Sequence, residues 1–558
     1  MSRGLDVVLS ACAAAGIDTL FGIPDPQFFA LFQAAGAQGW TVVAPHHEAA
    51  GGFMAEGAAR ISGRPALCVG TMGPGVANLL PAMAHALAEH VPVLFLGGAR
   101  DGSDETAQTG RFQQFGQMAA ARPCVKWAGR ATSGADLGAV LTQALAAMRQ
   151  GTPGPVYVEI TGAAWDQPAV WEPPVTEAQM PDIQAVVDMV AQAQCPVILS
   201  GHGVQTARMG AAVADLACHL GAPIILTPGG AAVAEAGQSR AFPYGFSAVT
   251  REVIAAADLV IALGTALGDT LHFGTGRHWA AGHTARRWVQ VEADAATIGR
   301  HRRIDAALVA DLRVAVPALR QGLTGRGDHP GLAGWIAARN SYHLQQKEAA
   351  LAASSSPLHP ARLVRAVADA MPPNAIHVRD GGALALYDLA LRGSLPGDVL
   401  WSQNMGHLGT GLPMAVGAVL ATGGRRVASV LTGDSALMFH LAELEVAARL
   451  RLPIVCVVGV DHQWGLEVGM AQRLNVDPAL PALYWGAGMR FDRLAQAMGC
   501  SGLYVDQADM LENVLEQAFA IAQTGGPVVV HAALDAAAHA RDIPALGEFA
   551  SWFTPPSP

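Results

Sequence analysis

The chain has 558 residues, of which 51% are hydrophobic, 14% are charged and 63 are glycine, with a net charge of −10. That length exceeds what one hydrophobic core covers, so about two to four domains are expected, and the composition excludes a disordered or fibrous chain. The acidic balance, without a long basic run, argues against nucleic acid or an anionic membrane surface as a partner.

In chain order, MSRGLDVVLSACAAAGIDTLFGIP opens like a short signal peptide, but Asp6 interrupts its apolar run. It reads instead as a helix leading into a strand at 19–22. Further apolar runs predict strands at 41–45, 66–70, 91–98, 196–201, 259–264, 427–433 and 453–459, alternating with alanine-rich helical stretches. Continuous apolar strands separated by helices imply parallel sheets covered on both faces. Polar, proline-rich stretches at 165–181 and 324–360 break the pattern. The expectation is therefore an α/β chain of three doubly wound parallel-sheet domains, at 1–165, 182–324 and 360–545, with a loose tail at 553–558. The seven cysteines are scattered singly with no C-x-x-C pair, which points to reduced thiols and a cytoplasmic location. No apolar run approaches the roughly 20 residues that span a bilayer.

The stretch VASVLTGDSALMF (427–439) ends an apolar strand on a lone carboxylate, Asp434. A helix over 436–452 follows, then the strand 453–459, then VDHQWGLE, with Asp461 27 positions after Asp434. A strand-helix-strand unit brings two such strand ends side by side, where ligands collect in open parallel sheets. Two carboxylates there repel unless a cation lies between them. Surroundings of small residues, without a Cys or His pair, suit a hard ion such as Mg²⁺ shared with a phosphate. Gly433, Ser435 and Ala436 then offer N–H groups to phosphate oxygens. A helix-capping aspartate is the alternative.

This pattern resembles the thiamine diphosphate motif of the acetolactate synthase, benzaldehyde lyase and pyruvate decarboxylase superfamily. The resemblance implies that Asp434 and Asp461 bind Mg²⁺ through their side chains and Gln463 through its carbonyl, with Trp464 and Gly465 beside the cofactor. Family members usually show Asn-Asn where this chain has Val460-Asp461, so the site would carry an extra negative charge. In PHHEAAGGFMAEGAAR (45–60), Glu48 matches the glutamate that hydrogen-bonds the cofactor's pyrimidine, poorly solvated among small and apolar neighbours. A dipole-stabilising Glu in a first helical turn is the plainer reading. GTMGPGVAN (70–78) matches the turn against the pyrimidine, assigning Thr71, Pro74 and Asn78 to the cofactor. In 104–130, Gln113 matches the active-site glutamine of acetolactate synthase. QNMGHLGTGLPMAVGA (403–418) resembles the turn beneath the thiazolium, with Leu408 as the bulky residue that bends the cofactor and Gly406 as a carbonyl acceptor. Gly381 and Gly382, after Asp380 at another strand end, line the diphosphate pocket on this alignment.

The family implies a small-molecule substrate, a 2-keto acid, an aldehyde or a hydroxyketone. It also implies an active site between the first unit of one subunit and the third of another, in a homodimer or homotetramer. Gln113 favours carboligation, whereas Glu467 lies where decarboxylases carry a catalytic glutamate. His47, His46 and His272 are candidate proton-transfer groups, and Pro24-Asp25-Pro26 puts Asp25 either near the substrate or simply in a turn. FAD is not expected, because LGTALGDTLHFG replaces the Arg-Phe-Asp-Asp-Arg type segment of flavin-containing members. The leading expectation is acetolactate-synthase-like decarboxylation with carboligation, followed by simple decarboxylation or benzaldehyde-lyase-type cleavage. An NAD-dependent dehydrogenase is disfavoured because GHGVQTARMG (201–210) lacks the Gly-x-Gly-x-x-Gly spacing. A non-catalytic cofactor-binding protein could dispense with Glu48.

Overall fold

The computed structural model describes residues 2–100, 112–173, 180–230, 233, 237, 239–245, 247–275, 277–280, 282, 285–392, 397–486 and 488–552. Three six-stranded parallel sheets organise these residues, in agreement with the α/β expectation. The first contains β1 (Thr19–Gly22), β2 (Thr41–Val43), β3 (Ala66–Gly70), β4 (Val93–Ala99), β5 (Trp127–Ala131) and β6 (Val156–Thr161), in the order β2-β1-β3-β4-β6-β5. The second contains β7 (Pro196–Ser200), β8 (Ile224–Leu226), β9 (Ala241–Pro243), β10 (Leu259–Leu263), β11 (Arg287–Glu292) and β12 (Ala306–Val309), in the order β9-β8-β7-β10-β11-β12. The third contains β13 (Ile376–Arg379), β14 (Val399–Leu400), β15 (Ala428–Gly433), β16 (Ile454–Val460), β17 (Ser501–Val505) and β18 (Val528–Ala533). Its order, β14-β13-β15-β16-β18-β17, repeats that of the first sheet. Central strands such as β4 and β16 are buried at every position, as both-face coverage by helices requires.

The first and third sheets share one hydrophobic core, joined by the helices Glu48–Ser62 and Gly411–Ala421. These helices meet backbone to backbone. A Cβ on Gly57 would fall 2.1 Å from the Met414 carbonyl oxygen, and one on Gly417 would fall 1.8 Å from that of Met54. Gly57 and Gly417 thus permit the crossing. Next to it lies a buried polar network in which His85 Nδ1 is 2.6 Å and Arg60 Nη1 3.4 Å from Glu56, and Arg60 donates to the Trp401 carbonyl at 3.0 Å.

Two regions differ from the sequence expectation. The polar stretch 324–360 contains a 21-residue helix, Leu332–Ala352. Its alanines, leucines, glutamines and lysine favour helix, but its weak apolar stripe hides that helix within a polar stretch that breaks the pattern of strands and helices in sequence. The helix expected over 436–452 is broken into Asp434–Leu437, a 3₁₀ turn at Met438–His440, and Glu443–Arg449. The break lies where Gly409 approaches closely: a Cβ there would be 2.4 Å from Phe439 Cβ and 2.8 Å from the Ala436 oxygen. All seven cysteines are unpaired. Among the described residues no helix is long and apolar enough to cross a membrane.

Candidate active site

Strands β15 and β16 pair in register with Gly433 opposite Gly459. Asp434 and Asp461 therefore leave neighbouring strands at the carboxyl edge of the third sheet, as the spacing predicts. Asp434 is 1% exposed and Asp461 8%. The Ser435 N–H donates to Asp434 Oδ1 at 2.8 Å and the His462 N–H to Oδ2 at 2.9 Å. Burial, reinforced by the charge of Asp461, still pushes the Asp434 pKa up to about 7. Two buried carboxylates with this repulsion form a site able to hold a divalent cation through oxygen. Gln463, two positions after Asp461, turns its own amide inward, with Nε2 donating to Asp461 Oδ2 at 3.1 Å and to the Ala536 carbonyl at 2.9 Å.

His539 is the partner that sequence reasoning missed. Its Nδ1 lies 2.6 Å from Asp461 Oδ2, as an N–H donating to a carboxylate does. It arrives on the helix Ala536–Arg541, which follows β18, so the pairing depends on the sheet order rather than on any local motif. This contact compensates the acidic residue at position 461. Gly465 makes room for it, since a Cβ there would stand 2.8 Å from Asp461 Oδ2 and 3.1 Å from His539 Nδ1.

The two aspartates open onto a cavity of about 540 Å³. Gly381, Gly382, Gly406, Leu408, Gly433, Ser435, Gln463, Trp464, Gly465 and Glu467 also line it, so most of the predicted third-unit set converges. Ala436 lies beneath, fully buried. Gly381 holds φ at +88°, where a side chain would be strained. Asp380 fixes the facing turn, accepting from the N–H groups of Gly381 (2.6 Å), Gly409 (3.0 Å) and Gly411 (3.0 Å). Burial lifts its pKa to about 6 against those bonds. From the first unit, Glu89 Oε1 accepts from the N–H groups of Asn404 at 2.7 Å and Met405 at 3.2 Å, steadying the loop that carries Gly406 and Leu408. Glu467, in the first turn of the helix Gly465–Arg473, faces the cavity, and partial burial raises its pKa. Phe549 and Trp552, near the end of the described chain, close one side.

The first-unit candidates gather elsewhere. Glu48 opens its helix, is 7% exposed, and accepts at Oε2 from Asn78 Nδ2 at 3.0 Å. Pro74 begins the helix Pro74–Ala88 after Gly73, whose φ of +76° only glycine adopts readily. The Thr71 carbonyl accepts from the Val76 N–H at 3.0 Å, closing the turn, and a Cβ on Gly75 would sit 3.3 Å from Glu48 Oε1. Gln113 lies over this turn with φ of +60°, its carbonyl 2.4 Å from where a Gly73 Cβ would be. Its neighbours 104–111, part of the quoted segment, lie outside the described residues. Among the described residues, none from the first unit lines the Asp434 cavity.

The histidines have structural engagements. His47 caps the Glu48 helix, accepting from the Ala49 N–H at 3.1 Å. The His46 N–H donates to Glu443 at 3.1 Å and its Nε2 is 2.7 Å from Glu445, tying the first unit to the third. His272 lies 3.4 Å from Glu548 in a separate cluster. Asp25 forms a turn, accepting from the Gln27 N–H at 3.0 Å.

Residues 2–120 match the N-terminal TPP binding domain of thiamine pyrophosphate enzymes, residues 183–319 their central domain, and residues 382–532 their C-terminal TPP binding domain. The chain belongs to the thiamine pyrophosphate enzyme family. It is thus a thiamine pyrophosphate-dependent enzyme with all three domains of that family. The acetolactate synthase large subunit of Parasynechococcus marenigrum (strain WH8102) is 27% identical over 92% of this chain and 85% of its own. The 2-hydroxyacyl-CoA lyase of Oryza sativa subsp. japonica is 26% identical over 94% of each. In fold, the chain is similar to benzoylformate decarboxylase from Polynucleobacter necessarius, with a TM-score of 0.78 and 17% identity over 96% of this chain and 99% of that one.

Proposed function

We propose that this enzyme uses thiamine diphosphate with Mg²⁺ to decarboxylate a 2-keto acid and join the remaining fragment to a second carbonyl, as an acetolactate synthase does. The observation that carries the metal assignment is the buried pair Asp434 and Asp461 at adjacent strand ends, with Asp434 pushed up to about 7. That pair has the donor chemistry of a Mg²⁺ site completed by phosphate oxygens. The positive-φ glycine Gly381, beside Gly382 and Gly433, leaves backbone room for a diphosphate. A cavity of about 540 Å³ falls within the range of cofactor sites. The residues present therefore fit the group.

When bound, thiamine diphosphate supplies a carbanion equivalent next to a carbonyl carbon. The chain's own residues do the rest. Asp434, Asp461 and the Gln463 carbonyl hold the metal, while Thr71, Pro74, Asn78, Gly406, Leu408, Trp464 and Gly465 orient the cofactor. Glu48, steadied by Asn78, exchanges a proton with the pyrimidine. Gln113 orients the second substrate. The proposed division into domains is 1–165, 182–324 and 360–545. Because Glu48 and its neighbours do not line the Asp434 cavity among the described residues, the reading places each active site between two chains of a homodimer or of a homotetramer built from such dimers.

A second reading, simple decarboxylation or cleavage of a hydroxyketone, is favoured by one observation. Glu467 faces the cavity with a raised pKa, as a group that delivers a proton there would. NMR analysis of products from pyruvate, with a parallel benzoin sample, separates the readings. Acetolactate or acetoin is the expected result. Acetaldehyde alone would overturn carboligation in favour of Glu467-assisted decarboxylation, and benzaldehyde from benzoin would mark a lyase.

A further inference from the structure

A cluster outside the reaction site joins the middle unit to the end of the chain. His278 Nε2 lies 3.0 Å from Glu548 Oε2, and His272 Nε2 lies 3.4 Å from Glu548 Oε1. The three ligand atoms all lie within 4.8 Å of one another. His278 is 4% exposed and Glu548 6%. Tetrahedral zinc, with bonds of about 2.0–2.2 Å, sets its ligand atoms about 3.3 Å apart, close to the two separations observed. Two imidazoles and a carboxylate form a ligand set typical of zinc and related divalent ions.

The surroundings hold the ligands in place. Tyr244 Oη is 3.0 Å from His272 Nδ1, the contact an outer partner makes when it orients a metal-binding imidazole. The Tyr244 ring stacks on Trp279 at 5.5 Å between centroids. His272 reaches the carboxylate from a left-handed backbone, with φ of +50°. Ser551 Oγ lies 3.1 Å from His272 Nε2, so a hydroxyl oxygen is also at hand.

We infer that His272, His278 and Glu548 form a binding site for a zinc-class divalent ion. The ion fastens the helix Leu546–Ser551 to the middle unit. That helix carries Phe549 and leads to Trp552, both of which line the cavity beside Glu467. The bound metal thereby sets the position of one cavity wall. This site uses neither Asp434 nor Asp461, and its assignment does not depend on which carbonyl compounds react.

The test uses full-length protein with thiamine diphosphate and excess Mg²⁺, so that oxygen-ligand sites are filled, titrated with Co²⁺ as a visible probe. The expected result is d–d absorption that saturates near one Co²⁺ per chain and is displaced by Zn²⁺. His278→Ala and Glu548→Gln are expected to remove it with circular dichroism unchanged, and Tyr244→Phe to weaken Co²⁺ affinity about 10–100-fold. Zn²⁺ is also expected to slow amide exchange in Leu546–Ser551 of the unsubstituted protein. Absence of saturable absorption in that protein, or its persistence in Glu548→Gln, would overturn the assignment. Unchanged amide exchange with Zn²⁺ bound would overturn the fastening role.

Discussion

Asp434→Ala is expected to lose Mg²⁺-dependent binding of thiamine diphosphate while folding as well as the parent protein. Asp434 is buried beside Asp461, and its pKa is pushed up to about 7 from an ordinary carboxyl value near 3.9. A raised folded-state pKa means that the folded protein holds this proton more tightly than the unfolded chain. The associated stability is fully present below about pH 3.9 and is lost as pH rises through about 7. Above pH 7, without a cation, the ionised side chain is a burden that alanine removes. The melting temperature of the metal-free variant at pH 8 should therefore equal or exceed that of the parent. Adding Mg²⁺ and cofactor reverses the comparison, because the ion replaces the missing proton. Removing one partner of such a buried charge pairing costs roughly 3–5 kcal/mol, a hundred- to several-thousand-fold in affinity. Calorimetric titration at pH 8, with melting curves for both proteins, checks both halves. Undiminished cofactor affinity in the variant would remove Asp434 from the metal site.

Glu48→Gln should separate binding from activation. The amide keeps the shape of the side chain and can still accept from Asn78 Nδ2, now 3.0 Å from the carboxylate. Cofactor affinity should change little. A primary amide cannot pass a proton to the pyrimidine, and loss of a positioned acid–base group costs about 10²–10⁴ in rate. Hydrogen–deuterium exchange at the thiazolium C2 of the bound cofactor, followed by NMR after acid quench, should slow by about that factor. An unchanged exchange rate with full occupancy would show that Glu48 has no part in activation.

The residues most legible in sequence were those whose structural cause is local. Apolar runs closed by glycine, such as 66–70 and 427–433, became β3 and β15 within a residue. Asp434 was conspicuous because a carboxylate seldom ends a buried strand without a task. Its distance from Asp461 is one strand-helix-strand unit, so their meeting could be foreseen. His539 could not, because it reaches Asp461 from 78 positions away through the order of strands in the sheet. Glu89 was equally hidden, since its contact with Asn404 spans 315 positions and two units. The helix Leu332–Ala352 was missed for a different reason: its polarity hid a good intrinsic helix former. The break after Leu437 lies where Gly409, a residue in a different segment of the chain, approaches closely.

Glu48 belongs to the first unit and Asp434 to the third, and the Asp434 cavity is lined by no described residue of the first. The decisive measurement mixes Glu48→Gln and Asp434→Ala proteins, each inactive alone, after reversible dissociation and reassociation of their subunits. If the site lies between chains, each mixed dimer contains one site with both native residues, and random pairing returns about a quarter of the unsubstituted activity. If each site is built within a single chain, every site in the mixture lacks one of the two residues. Activity that stays at the level of the separate variants, with mixed dimers verified by mass spectrometry, would contradict the account.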